Sequence, residues 1–243
     1  MEFDFEYIKH QRYDGVNPTI LLIHGLLCDK KTWYQTEKNI PIKFLDNIKK
    51  QFSVCIFTIP PSYYLLPIDN LIVNIYNLLI VNKVRSPYVV LGHSYGGLIS
   101  YKFSIFYPTD TIGLILIDSS TNTHAFIDRI KADNRKTLPK LEHEINDCIL
   151  DNLKYIPQVD IFPKNIIVQV HFDMKDINSS RIKGKHLYNK EKMEKNHIEL
   201  MKYYTILTSH NPQSKLIIHS IGHFIHHKND KDIIKYIMTF TKI

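Results

Sequence analysis

Six short apolar runs limit what this chain can fold into. Thr19-Ile20-Leu21-Leu22-Ile23 is the first, followed by Val54 to Ile59, Tyr88 to Leu91, Ile112 to Ile117, Ile166 to Val170 and Lys215 to Ile218. They are continuous rather than alternating, the pattern of strands covered on both faces. Helical patterns lie between them. Leu71 to Val84 carries Leu71, Ile75, Leu78 and Leu79 on one side, with Asp69 as its expected N-cap. Leu98 to Tyr107 stops before Pro108, and Glu191 to Leu207 and Asp230 to Phe240 complete the set. Strands alternating with helices predict an α/β fold: a mostly parallel sheet with helices on both faces. An opening strand or hairpin is expected near Phe5 to Tyr13.

One stretch breaks the rhythm. Between Thr121 and Pro163 there is no strand pattern, only helical pieces at Ala125 to Lys131 and Leu141 to Leu153, with Pro157 and Pro163 beyond them. We expect residues 121–163 to be a helical cap inserted into a single domain spanning 1–243. Phe126, Ile127, Ile130 and Leu138 would give that cap a modest apolar pocket.

Composition removes other classes. Hydrophobic residues at 44% and charged residues at 23% are ordinary for a globular chain, so a disordered or fibrous protein is excluded. The formal charge of +7 is mild, and its densest stretch, Arg181 to Lys195, reads as a solvated face. No finger, ribonucleoprotein or basic-zipper pattern accompanies it, so no nucleic-acid partner is expected. Cys28, Cys55 and Cys148 lack the spacing of a disulfide framework or zinc knuckle, which suits a reducing compartment. The acidic start, Met1 to Glu6, is not a signal peptide, and no apolar run is long enough to span a membrane. A cytoplasmic protein is expected.

The motif that carries chemistry is Gly92-His93-Ser94-Tyr95-Gly96-Gly97, directly after one expected strand and before a helix. A serine hydroxyl can attack a carbonyl when a tight strand-to-helix turn projects it from the sheet edge. Such a turn strains the serine backbone and brings neighbouring segments close, so residues two before and two after must be small. Gly92 and Gly96 meet that need. An average chain of this size carries about 17 glycines. This one has 8, and three of them stand here. Chance would supply roughly 0.01 such strings in a chain of this composition.

A hydrolytic serine needs a base. Among 13 histidines, position singles out His223, in Ser220-Ile221-Gly222-His223-Phe224, after the last expected strand and at the same sheet edge as Ser94. His226 and His227 read as packing or solvated residues. His219, His223 and His226 imitate a metal cluster, but no carboxylate or cysteine completes it, so no metal is expected. Two backbone donors should hold an oxyanion: the Tyr95 N–H, after the nucleophile, and the Leu26 N–H, in the loop His24-Gly25-Leu26-Leu27.

His24-Gly25 after a strand, the Gly92 to Gly97 motif, the strand end Leu116-Ile117-Asp118 and Gly222-His223-Phe224 together resemble the α/β-hydrolase superfamily, in its esterase/lipase-like branch. The resemblance runs from about Thr19 to Ile243. It implies an eight-stranded sheet, a small helical cap after the sixth strand and no cofactor; the substrate we expect is a small-molecule ester or thioester. It leaves the acid of the triad open. Asp118, at the end of the sixth strand, is favoured; Asp173 and Asp176 are the candidates after the seventh. The loop Pro60-Pro61-Ser62-Tyr63-Tyr64 stands where the family carries an aspartate and a Gly-x-Gly turn. Three functions fit: a serine hydrolase, a cofactor-free lyase resembling hydroxynitrile lyases on the same triad, and a non-catalytic ligand-binding homologue.

Overall fold

The computed structural model describes residues 2–10, 18–133, 138–154, 165–171 and 190–241. Within them lie seven strands: β1 Asp4–Ile8, β2 Thr19–Ile23, β3 Ser53–Thr58, β4 Tyr88–His93, β5 Thr111–Ile117, β6 Asn165–His171 and β7 Lys215–His219. They form one sheet in the order β1-β3-β2-β4-β5-β6-β7. Only β1 runs antiparallel, paired with β3 from Asp4 opposite Thr58 to Ile8 opposite Val54. The described residues thus hold seven strands rather than the eight implied by the resemblance. The opening segment supplies a single edge strand, and residues 11–17 of the expected hairpin lie outside the description.

The apolar runs are explained by two cores. Leu21, Ile23, Val90, Leu114, Leu116, Val168 and Val170 point to one face. Their neighbours Ile20, Leu22, Val89, Leu91, Ile115, Ile117 and Ile167 point to the other. Successive strand residues face opposite sides, so covering both sides makes every position apolar. Helices α2 (Ile68–Val81), α3 (Tyr95–Phe106) and α6 (Lys190–Ser209) cover the first face, and α1 (Phe44–Ile48) and α7 (Asp230–Thr239) the second. A Cβ on Gly113 would stand 2.5 Å from the Phe240 ring, so the end of α7 sits flush on β5.

Two helix starts differ from expectation. α2 begins at Ile68 after Pro67, not behind Asp69. Asp69 instead lies in the first turn, where a carboxylate suits the helix dipole, and pairs with Lys102 Nζ at 3.0 Å. α3 begins at Tyr95, three residues before the expected Leu98, because Gly96 and Gly97 are helical.

Helices α4 (His124–Asp133) and α5 (Lys140–Leu153) follow β5 in the stretch expected to form a cap. α5 packs on the 3-10 helix Pro61–Leu65, and Asn152 ties it there by accepting from Ile68 N–H and donating to Leu66 O. Phe126 and Ile130 are buried in the larger core. Pro157 and Pro163 lie outside the described residues.

Candidate active site

The turn from β4 into α3 is built by steric necessity. Ser94 has φ 53° and ψ −124°, in the region L-residues rarely adopt. Its N–H donates to Ile117 O at 3.0 Å, and its carbonyl accepts from Ser120 N–H at 2.8 Å, so the ends of β4 and β5 are stitched together. A Cβ on Gly92 would overlap Gly96 O, Gly97 Cα and Ser100 Oγ. One on Gly96 would overlap the carbonyls of Ile23 and His24, and one on Gly97 would meet the Ser119 side chain. The glycines are therefore required by three different neighbours.

Asp118 directly follows β5 and His223 follows β7. The structure brings them together: His223 Nδ1–H donates to Asp118 Oδ2 at 2.5 Å. This fixes the tautomer and leaves Nε2 as the unprotonated nitrogen. Asp118 also has a positive φ, 41°, and its N–H donates to Gln169 O at 2.7 Å. Tyr204 of α6 donates its hydroxyl to Ser119 O at 2.5 Å, bracing the turn from behind. Gly222, before His223, has φ +94° with nothing within 4 Å of a would-be Cβ, so backbone torsion rather than space calls for glycine.

Ser94 is adjacent to this pair through His93. The His93 ring lies 4.5 Å from that of His223, and its Nε2–H donates to His223 O at 3.2 Å. Among the described residues no hydrogen bond joins the Ser94 hydroxyl to the His223 imidazole. Contacts of this kind commonly tighten only when substrate arrives. Burial, and secondarily His223, pushes the His93 pKa down to about 3, so His93 is neutral and adds no charge beside His223.

The loop carrying Leu26 lies against the serine. A Cβ on Gly25 would stand 3.2 Å from Ser94 Cβ and 3.6 Å from Cys28 Sγ. His24 anchors that loop: its Nδ1–H donates to Gly25 O at 2.7 Å, and its Nε2 accepts from Ile59 N–H at 2.9 Å. Burial pushes its pKa down to about 4. The Tyr95 N–H stands in the first turn of α3, where amides have no partner within the helix.

The remaining histidines divide cleanly. His226 and His227 both donate Nε2–H to Thr32 O at 3.0 Å, and His226 packs on Trp33, so they are packing residues as expected. His219 turns to Gln169, His223 to Asp118 and His226 to Thr32, so the three do not converge. Asp173 and Asp176 lie outside the described residues. Sequence reasoning missed His93 and Tyr204 as neighbours of the site. His93 could have been suspected from its place beside Ser94, whereas nothing local marks Tyr204. No described helix is long and apolar enough to cross a membrane.

No family model matches the sequence, and no curated protein does. Solved structures do match. A probable hydrolytic enzyme from Pseudomonas aeruginosa PAO1 superposes with a TM-score of 0.65 at 13% identity, over 99% of this chain and 90% of that one. A thermophilic esterase from Thermogutta terrifontis gives 0.60 at 16% identity, over 98% and 92%. An alpha/beta hydrolase enzyme from a sediment metagenome of the Mar Chica lagoon, Morocco, gives 0.60 at 13%, over 100% and 95%. Likeness of this extent at such low identity is likeness of architecture. With the sheet order and the strand–serine–helix turn, it establishes that the chain has the α/β-hydrolase fold.

Proposed function

We propose that the protein is a serine hydrolase that cleaves a small carboxylic ester or thioester through an acyl-enzyme. Ser94 Oγ attacks the carbonyl carbon while His223 Nε2 takes its proton. Asp118 steadies the imidazolium that forms. The Leu26 and Tyr95 N–H groups hold the oxyanion; losing one such donor costs about 3 to 4 kcal/mol of transition-state stabilisation. Collapse expels the alcohol or thiol, which takes the proton from His223. Water then attacks the acyl carbon as His223 takes its proton, and collapse releases the acid while His223 returns that proton to Ser94 Oγ. No metal or cofactor takes part in these steps.

The observation that carries this reading is the Asp118–His223 hydrogen bond beside the strained Ser94 turn. Residues 121–163 act in it as a cap over the site, on one domain spanning 1–243. Its expected setting is the cytoplasm, in keeping with three unpaired cysteines. A fluorophosphonate probe and p-nitrophenyl esters of increasing chain length test it. Ser94→Ala should lose both labelling and turnover. Asp118→Asn should lower kcat by about a thousandfold or more, as loss of the triad acid does elsewhere. Wild type that neither labels nor turns over would favour a binding protein. Full rate in Asp118→Asn with loss in Asp173→Asn would move the acid to the other strand.

A further inference from the structure

One buried side chain adjoins the nucleophile, the base and the oxyanion loop, and takes no part in the proton transfers. His93 is the last residue of β4 and directly precedes Ser94. Its backbone is paired with Ile117, the residue before Asp118. Its ring is 1% exposed and lies against those of His223, at 4.5 Å, and Phe224, at 4.9 Å. Its Nε2–H donates to the His223 carbonyl at 3.2 Å. Its Nδ1 faces Gly25, where a Cβ would stand 3.4 Å away, and has no hydrogen-bond partner. An apolar ring would fill this space without burying an unpaired nitrogen, so the imidazole calls for an explanation.

The base supplies one. β7 ends at His219, so His223 is carried by a loop, and Gly222, at φ +94°, turns that loop just before it. The bond from His223 Nδ1–H to Asp118 fixes the tautomer, but alone it leaves the imidazole able to pivot about that contact. A second bond, to the carbonyl of the same residue, removes the pivot. We propose that His93 is a positioning residue, whose Nε2–H holds the His223 backbone so that Nε2 of the base meets the Ser94 hydroxyl. This rests on the serine-hydrolase reading. His93 touches no substrate and moves no proton. Burial keeps its ring neutral, with one N–H, and the His223 carbonyl takes it.

His93→Phe keeps a ring beside His223 and removes the donor; His93→Gln restores a donor and an acceptor on a flexible chain. Both are assayed on p-nitrophenyl esters, with kcat counted per serine labelled by fluorophosphonate so that unfolded protein does not enter. For His93→Phe we expect kcat to fall about 10- to 100-fold, as misplacement of a catalytic group by about 1 Å does, with KM unchanged. The rate of fluorophosphonate labelling should fall by a similar factor. His93→Gln should recover most of both rates, whatever either variant does to Tm. Full kcat in His93→Phe overturns the positioning role and leaves the hydrolase reading standing. A loss that His93→Gln does not repair assigns His93 to packing and also overturns it, as does a change confined to KM. Wild type that neither labels nor turns over overturns both readings together.

Discussion

Acid should destabilise this protein through two of its buried histidines. His24 and His93 are almost fully enclosed, and burial lowers their pKa values from 6.5 to about 4 and about 3. The unfolded chain therefore binds protons that the folded chain refuses. Stability from these two groups is complete above the unfolded value and is lost as pH falls from 6.5 towards their folded values. At about pH 4.5 each contributes a loss of about 2.5 kcal/mol, or about 5 kcal/mol together. In a chain of this size that lowers Tm by about 10–20 °C. Thermal unfolding followed by circular dichroism, at about pH 7.5 and about pH 4.5, measures it. His24→Gln isolates one share. Whatever that variant costs near neutrality, its own drop on acidification should be smaller by about 5–10 °C. The reason is local: the neutral His24 Nε2 accepts from Ile59 N–H, and a proton there would set two donors face to face. A wild-type Tm that is flat over this range, or an unchanged drop in His24→Gln, refutes the argument.

Two glycine substitutions separate space from torsion. Gly96→Ala would drive a methyl group into the backbone carbonyls of Ile23 and His24, which have no rotamer to yield, and should cost about 3 kcal/mol in urea unfolding. Gly222→Ala meets open space and suffers only from its φ of +94°, so it should cost about 1 kcal/mol.

The sheet could be read from sequence because burial on both faces leaves no ambiguity in a run such as Leu21 to Ile23 or Leu114 to Ile117. The serine turn could be read because its glycines answer a backbone requirement that is local in the chain. The same glycines hid where α3 begins. The sequence pattern predicts the helix only from Leu98, yet the Ile23–His24 backbone and Ser119 leave no room for side chains at Gly96 and Gly97, and the helix absorbs both. Asp69 read as a cap because only its neighbours in the chain were visible; its Lys102 partner is supplied by α3. Partners separated by long stretches could not be ranked by spacing. Asp118 and His223 are 105 residues apart, and Tyr204 reaches Ser119 across 85. The His93 contact to His223 depends on how β7 docks, which no local pattern encodes.

The span between Asp118 and His223 also bears on biosynthesis. A ribosome delivers Ser94 and Asp118 well before it delivers β7 and the His223 imidazole that follows. On the chemistry proposed here, a nascent chain already holding the nucleophile has nothing to deprotonate it, so the growing polypeptide stays inert towards esters until the last strand of the sheet locks in.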